Sequence, residues 1–266
     1  MNKPFVPHAG AVFSADIAVP EHEREVRFYS RVLSTGDRPL WRESDLSNNL
    51  GMPIIGLGAR TTEHANLPLQ WMPHIQVGDV GASVERATAL GGSALMHARD
   101  AAGRSEWAVL LDPNGAAFGV IPVVDMGTEQ EADDAPSPER VPAVGRVYWL
   151  DLTVPDASAT RDFYCEVVQW SAQDVEMKEG DASYSDYNML SEVGRPAAGI
   201  CHARGVNAGL PPVWLIYLPV GDLVESIRRT EEEGGTVLNA RRDDDGAHAY
   251  AVIQDPVGAF LALVQA

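Results

Sequence analysis

Residues 15–33 read ADIAVPEHEREVRFYSRVL, and residues 150–168 read LDLTVPDASATRDFYCEVV. Val19-Pro20 matches Val154-Pro155, and Phe28-Tyr29 matches Phe163-Tyr164, both at an offset of 135. Farther along the offset becomes 143. There Gly51-Met52-Pro53 matches Gly194-Arg195-Pro196, and Val77-Gly78-Asp79 matches Val220-Gly221-Asp222. Gly91-Gly92 matches Gly234-Gly235, and Asp112-Pro113-Asn114-Gly115-Ala116 matches Asp255-Pro256-Val257-Gly258-Ala259. Landmarks repeated in one order mark a duplicated architecture. The step from 135 to 143 puts eight extra residues in the second copy, between its first helix and its GxP turn.

Within the first copy, alternation predicts a strand over 11–19, with Ile17 and Val19 on one face and Ser14, Asp16 and Ala18 on the other. The 3.6-residue spacing of Val26, Tyr29 and Leu33 predicts an amphipathic helix over 21–33. Short strands follow to about residue 60, then a strand over 73–77. A helix over 80–90 comes next, with Asp79 as N-cap and a stop at Gly91-Gly92. In the second copy Asp222 and Glu225 predict a capping box. The turn at 112–115 joins strands at 107–111 and 116–121 into a hairpin. Strand, helix and three strands, twice per half, make four small α+β units.

Between the copies, residues 124–143 read VDMGTEQEADDAPSPERVPA, with six acids, one Arg and almost no apolar periodicity. Such a stretch cannot bury enough surface to order itself and reads as a solvated linker. The domain reading is therefore 9–123, linker 124–143, and 144–266. Twenty basic against 38 acidic side chains give a net charge of −18, which opposes binding to a phosphate backbone, so no nucleic-acid partner is expected. No apolar run of about 18 residues and no leader pattern is present, so no membrane partner is expected. Two cysteines, Cys165 and Cys201, exclude a disulfide scaffold, and a cytoplasmic location is the expectation.

The FYSRVL and FYCEVV segments, the VGDV…ALGG and VGDL…EEGG frames and the DPNGAAF and DPVGAFL turns together resemble the vicinal oxygen chelate superfamily. That superfamily includes glyoxalases, bleomycin-resistance proteins and extradiol dioxygenases. The resemblance covers nearly the whole chain outside the N-terminus and linker. It implies an α+β fold of two tandem domains, each a pair of βαβββ units forming a curved mixed sheet around a cavity. Metal-using members of the superfamily carry His, Gln or Glu at inward strand positions. Carried onto this chain, those positions are Ser14 and Trp149, Met72 and Leu215, and Gly119 and Ala262. None offers an imidazole or carboxylate for a divalent ion, so neither a metal nor another cofactor is expected.

Alternation places Ser14, Asp16, Met72, His74 and Gln76 on the inward face of the first half. Trp149, Asp151, Thr153, Leu215 and Tyr217 fall on that of the second. His74 and Asp16 can be read as an acid/base pair or as buried polar groups satisfied by hydrogen bonds. Ser14, Met72, Gln76, Trp107, Trp149, Asp151, Tyr217 and Tyr250 are the candidate ligand-binding residues, since aromatic linings suit flat apolar ligands. Trp71 and Trp214, repeat equivalents, read as core. Cys165 reads as a small buried helix residue, and His8 and His22 as solvated surface.

Two functions stay open. One is a metal-independent protein binding an aromatic or polyketide-like metabolite, for sequestration or biosynthetic handling. The other is a metal-free enzyme of hydroxylase, cyclase or lyase type using His74 and Asp16. A small-molecule partner and a monomer or homodimer are expected.

Overall fold

The computed structural model describes residues 6–37, 54–125, 144, 146–243 and 245–266. The linker expectation falls largely on 126–143 and the first GxP turn on 51–53, both outside the described residues.

The first half contains β1 (Val12–Val19), α1 (His22–Leu33), β2 (Ile54–Ala59), β3 (Met72–Val77), α2 (Val80–Ala89), β4 (Ser93–Arg99), β5 (Ser105–Leu111) and β6 (Ala117–Pro122). The second contains β7 (Trp149–Val154), α3 (Ala157–Val168), β8 (Ser171–Glu179), β9 (Ala182–Leu190), β10 (Pro196–His202), β11 (Trp214–Val220), α4 (Leu223–Glu232), β12 (Thr236–Arg242), β13 (His248–Gln254) and β14 (Phe260–Gln265). The expected strand–helix–three-strand order is complete in three of the four modules. The first shows one strand after its helix among the described residues.

These elements cluster into two compact units that cut across the halves. Unit one holds β3–β6 with α2, together with α3, β8–β10 and β7 from Leu150 onward. Unit two holds most of β1, α1 and β2, together with α4, β12–β14 and β11 from Leu215 onward. Each unit therefore joins one module from each copy of the duplication. Unit one has ladders in the orders β3-β6-β5-β4 and β7-β10-β9-β8; unit two has β2-β1 and β11-β14-β13-β12. The ladders are mixed. β3 runs parallel to β6, and β5 antiparallel to both β6 and β4.

Unit one is fastened where α3 meets the Asp112 turn. Asp112 Oδ1 accepts from the backbone N–H groups of Asn114 and Ala116 at 2.8 and 2.9 Å. Tyr164 Oη reaches Asp112 Oδ2 at 3.5 Å and accepts from Trp214 Nε1 at 3.0 Å. Phe118 and Phe163 pack edge-to-face on this cluster. Unit two repeats the arrangement with α1 and the Asp255 turn. Asp255 Oδ1 accepts from Val257 and Ala259 N–H at 3.1 and 2.7 Å, Tyr29 Oη donates to Oδ2 at 2.7 Å, and Trp71 Nε1 donates to Tyr29 Oη at 3.1 Å. Trp71 and Trp214 are fully buried, as their repeat positions imply, and each indole N–H finds the partner that burial demands.

Four local expectations change. On α1 the buried stripe is Glu25, Phe28, Tyr29, Val32 and Leu33, while Val26 is half-buried, because the helix is rotated to aim Phe28 and Tyr29 at the Asp255 turn. Asp222 does cap α4, accepting from Glu225 N–H at 2.9 Å, but the box does not close. Thr35 Oγ1 takes the Asp222 N–H, and the Glu225 side chain is held by Arg228 and Arg229, which draw its carboxyl down to about 2. His8 is buried rather than solvated. Its Nδ1–H donates to Val6 O at 2.6 Å, leaving Nε2 to accept from the Ser191 hydroxyl at 2.9 Å. His22 is half-buried and donates to Leu57 O at 3.0 Å.

Candidate functional site

The register of unit one assembles a row of residues on one face of the β3-β6-β5-β4 ladder. His74 on β3 lies opposite Gly119 on β6, Gly119 opposite Val109 on β5, and Val109 opposite Met96 on β4. Successive side chains on a strand alternate faces, so Met72 and Gln76 share the His74 face and Trp107 shares that of Val109. The other face, with Ile75, Leu110 and Phe118, is core.

Of the residues on the His74 face, Met72, Gln76 and Val109 are buried, His74 and Met96 half-buried, and Trp107 is 39% exposed. Gln76 is held by its own amide: Oε1 accepts from Val124 N–H at 2.8 Å. An exposed indole and a half-exposed imidazole above methyl groups give an apolar, sparsely polar surface, the composition of small-molecule sites.

Glycine shapes the row. A Cβ at Gly119 would collide with Cδ2 of the His74 ring, so the imidazole occupies the space that the bare backbone of β6 leaves open. In unit two Asp16 on β1 faces Gly56 on β2, and a Cβ there would meet Asp16 Oδ1. Thus the two titratable side chains of the expected acid/base pair each occupy a seat left by a strand glycine. They belong to different compact units, Asp16 to unit two and His74 to unit one.

The equivalent row in unit two runs Tyr217, Ala262, Val252 and Asn239 across β11, β14, β13 and β12. Tyr217 replaces His74 and Tyr250 replaces Trp107, and their rings pack together with centroids 5.8 Å apart at 62°. Ser14 and Trp149 are buried on β1 and β7. Asp151 on β7 pairs in register with Gly199 on β10. Its charge acts on the Cys201 thiol, which burial first, then Asp151 and Asp186, push upward, away from the thiolate. Asp186 Oδ1 meanwhile accepts from His202 at both the backbone N–H (2.8 Å) and Nδ1 (3.1 Å). Alternation along β10 points the adjacent Cys201 and His202 to opposite faces. Cys165 is half-buried rather than fully buried on α3, and desolvation raises its thiol.

Sequence reading named Gly119 only as an inward position without a metal ligand, and missed Val109, Met96 and the Asp186–His202 pair. A lone Gly in a strand signals a close approach, but only the register names the neighbour. The superfamily's metal positions do not fit a divalent ion here. Leu215 and Ala262 are fully buried and apolar, and the space a glutamate would need at Gly119 holds the His74 ring. Among the described residues no three His, Cys, Asp or Glu side chains converge as ligands.

Comparison with known proteins agrees with the fold. Residues 13–121 match the Glyoxalase-like domain family, and residues 146–263 match the Glyoxalase/Bleomycin resistance protein/Dioxygenase superfamily. The chain belongs to the glyoxalase superfamily, as two tandem domains. It is 28% identical over 200 residues to the anthracycline biosynthesis protein DnrV of Streptomyces peucetius, covering 75% of this chain and 66% of that protein. The corresponding protein DauV of Streptomyces sp. (strain C5) is also 28% identical over 200 residues, with the same coverage. The chain thus spans just under two thirds of these relatives' length. Among solved structures, a 4-hydroxymandelate synthase variant from Streptomyces coelicolor superposes with a TM-score of 0.52 at 12% identity, covering 98% of this chain and 93% of that one. A 2,2',3-trihydroxybiphenyl 1,2-dioxygenase from Sphingomonas wittichii gives 0.52 at 14%, covering 98% and 91%. At such identities these two establish the shared glyoxalase-superfamily fold alone. None of the described helices is long and apolar enough to cross a membrane.

Proposed function

We propose that this glyoxalase-superfamily chain binds a flat, aromatic, natural-product-like molecule on the His74 face of unit one, without a resident metal, in the cytoplasm. One observation carries the reading: an exposed Trp107 indole and the His74 imidazole share a face whose floor is Val109, Gly119, Met96 and Met72. A planar ring system would stack on the indole and set a phenol or carbonyl against the imidazole, the pairing of apolar area with one orienting group that such sites use. The similarity to proteins of anthracycline biosynthesis supports this ligand class. In unit two the packed pair Tyr217 and Tyr250 occupies the equivalent ground, which favours unit one.

Calorimetric titration of EDTA-treated protein with an anthraquinone tests the proposal. Saturable binding is expected, weakened about 10-fold or more by Trp107→Ala, as for a buried aromatic anchor. No binding, or binding that requires an added divalent ion, would overturn it.

A second reading, a metal-free hydroxylase, cyclase or lyase-type enzyme, is favoured by the seating of His74 over a strand glycine within unit one. Such a group acts as acid or base when it holds fixed geometry near substrate. Mass spectrometry of the anthraquinone after incubation separates the two readings. Unchanged ligand supports binding alone; conversion that stops in His74→Ala supports catalysis.

A further inference from the structure

Glu25 is a carboxyl in an apolar place. It is fully buried on α1, and neither of its carboxyl oxygens meets a hydrogen-bond donor among the described residues. An isolated ionised carboxylate in such a place is prohibitively costly, so a buried carboxyl pairs with a cation or keeps its proton. Among the described residues no cation pairs with it, and the nearby Arg24 charge is outweighed by burial and Asp255. Arg24, next in sequence, is bonded to Glu21, while Arg27 and Arg31 are both engaged by Glu233. On α4, which packs against α1, Arg228 and Arg229 are held by Glu225. The group facing Glu25 is another buried acid, Asp255, whose Oδ2 already accepts from Tyr29.

The duplication supplies an internal control. At the offset of 135, Glu25 corresponds to Thr160, and at 143, Asn114 corresponds to Val257. In unit one Asn114 Nδ2 bridges Thr160 Oγ1 at 3.0 Å and Asp112 Oδ2 at 3.3 Å, so the turn aspartate and the helix are joined by neutral donors. Unit two lacks that amide, Val257 having no donor in its side chain, and has a carboxyl in place of the hydroxyl.

We infer that Glu25 is a protonated acid in the folded protein and donates that proton to Asp255, fastening α1 to the 255–259 turn through a bond that alkaline conditions remove. Burial first, then the Asp255 charge, push the Glu25 carboxyl up to about 8. An acid raised on folding retains a proton that the unfolded chain releases. Stability is therefore fully present below the unfolded value near 4.5, falls as pH rises from there to about 8, and is flat above it.

The full chain is unfolded by urea at pH 6 and pH 8. For one such group the unfolding constant is expected to rise about 50-fold between these values. In Glu25→Gln, whose amide donates to Asp255 at both values, and in Glu25→Thr, which removes the carboxyl, most of that rise is expected to vanish. An equal rise in wild type and Glu25→Gln would overturn the assignment. So would stabilisation of the wild type by sodium or calcium that is lost in Glu25→Gln, since a cation would then occupy the place of the proton. Infrared difference spectra provide a readout independent of the variants' folding. A protonated-carboxyl stretch present at pH 7 and lost above pH 9 supports the inference, and its absence at pH 7 sinks it.

Discussion

Tyr29 Oη donates to Asp255 Oδ2 at 2.7 Å across 226 positions of sequence, and Tyr164 Oη reaches Asp112 Oδ2 at 3.5 Å. The Phe-Tyr pair of each copy is thus joined to the Asp-Pro turn of the other copy. Both hydroxyls are also the acceptors for a buried tryptophan N–H. Tyr29→Phe removes the donor to a buried carboxylate and orphans Trp71 Nε1, and is expected to cost about 1–3 kcal/mol. Tyr164→Phe breaks a longer bond to a carboxylate that also holds Asn114, and its cost is expected to be smaller. Urea denaturation of both variants checks the order.

Gly119→Ala forces the His74 ring out of its seat. Overpacking of this kind costs about 1–3 kcal/mol. It is also expected to weaken binding of an anthraquinone, because the imidazole loses the orientation the glycine gives it. Thermal unfolding and calorimetry measure the two effects. Wild-type stability with an unshifted His74 imidazole NMR signal would refute the seating.

Cys201 is expected to resist thiol reagents in the folded protein. Burial and the charges of Asp151 and Asp186 all oppose its thiolate, the reactive form. At pH 8 its labelling is expected to be about 100-fold slower than in urea. Mass-spectrometric labelling resolves it from Cys165, and equal rates in buffer and urea would contradict the burial.

Glu233→Gln, which breaks ion pairs to both Arg27 and Arg31, is expected to cost only about 0–1 kcal/mol, since both arginines are at least half exposed. A salt titration of stability checks this, and a loss of several kcal/mol would mean the pairs carry more than solvent screening permits.

The sequence made the elements legible because their signals are local. The Asp79 cap, the Gly91-Gly92 stop and the hairpin at Asp112 need only neighbours along the chain, and each is present. The rotation of α1 was not legible: Val26 has the apolar character of a core residue, yet Glu25 takes the buried position, since what decides is the turn against which Tyr29 packs. The capping box at Asp222 failed for the same reason, its N–H being claimed by Thr35 from α1's end. At the site, alternation put His74, Met72 and Gln76 on one face, but which strand residue lies beneath the imidazole depends on register.

By itself, the sequence determined the duplication and the α+β modules. These are properties of residue type, period and order. Only the tertiary structure decided that each compact unit combines modules from both copies, that Gly119 seats His74, and that Glu25 confronts Asp255. Those outcomes depend on which surfaces bury each other between segments some 45 to 230 residues apart, and no periodicity along the chain encodes them.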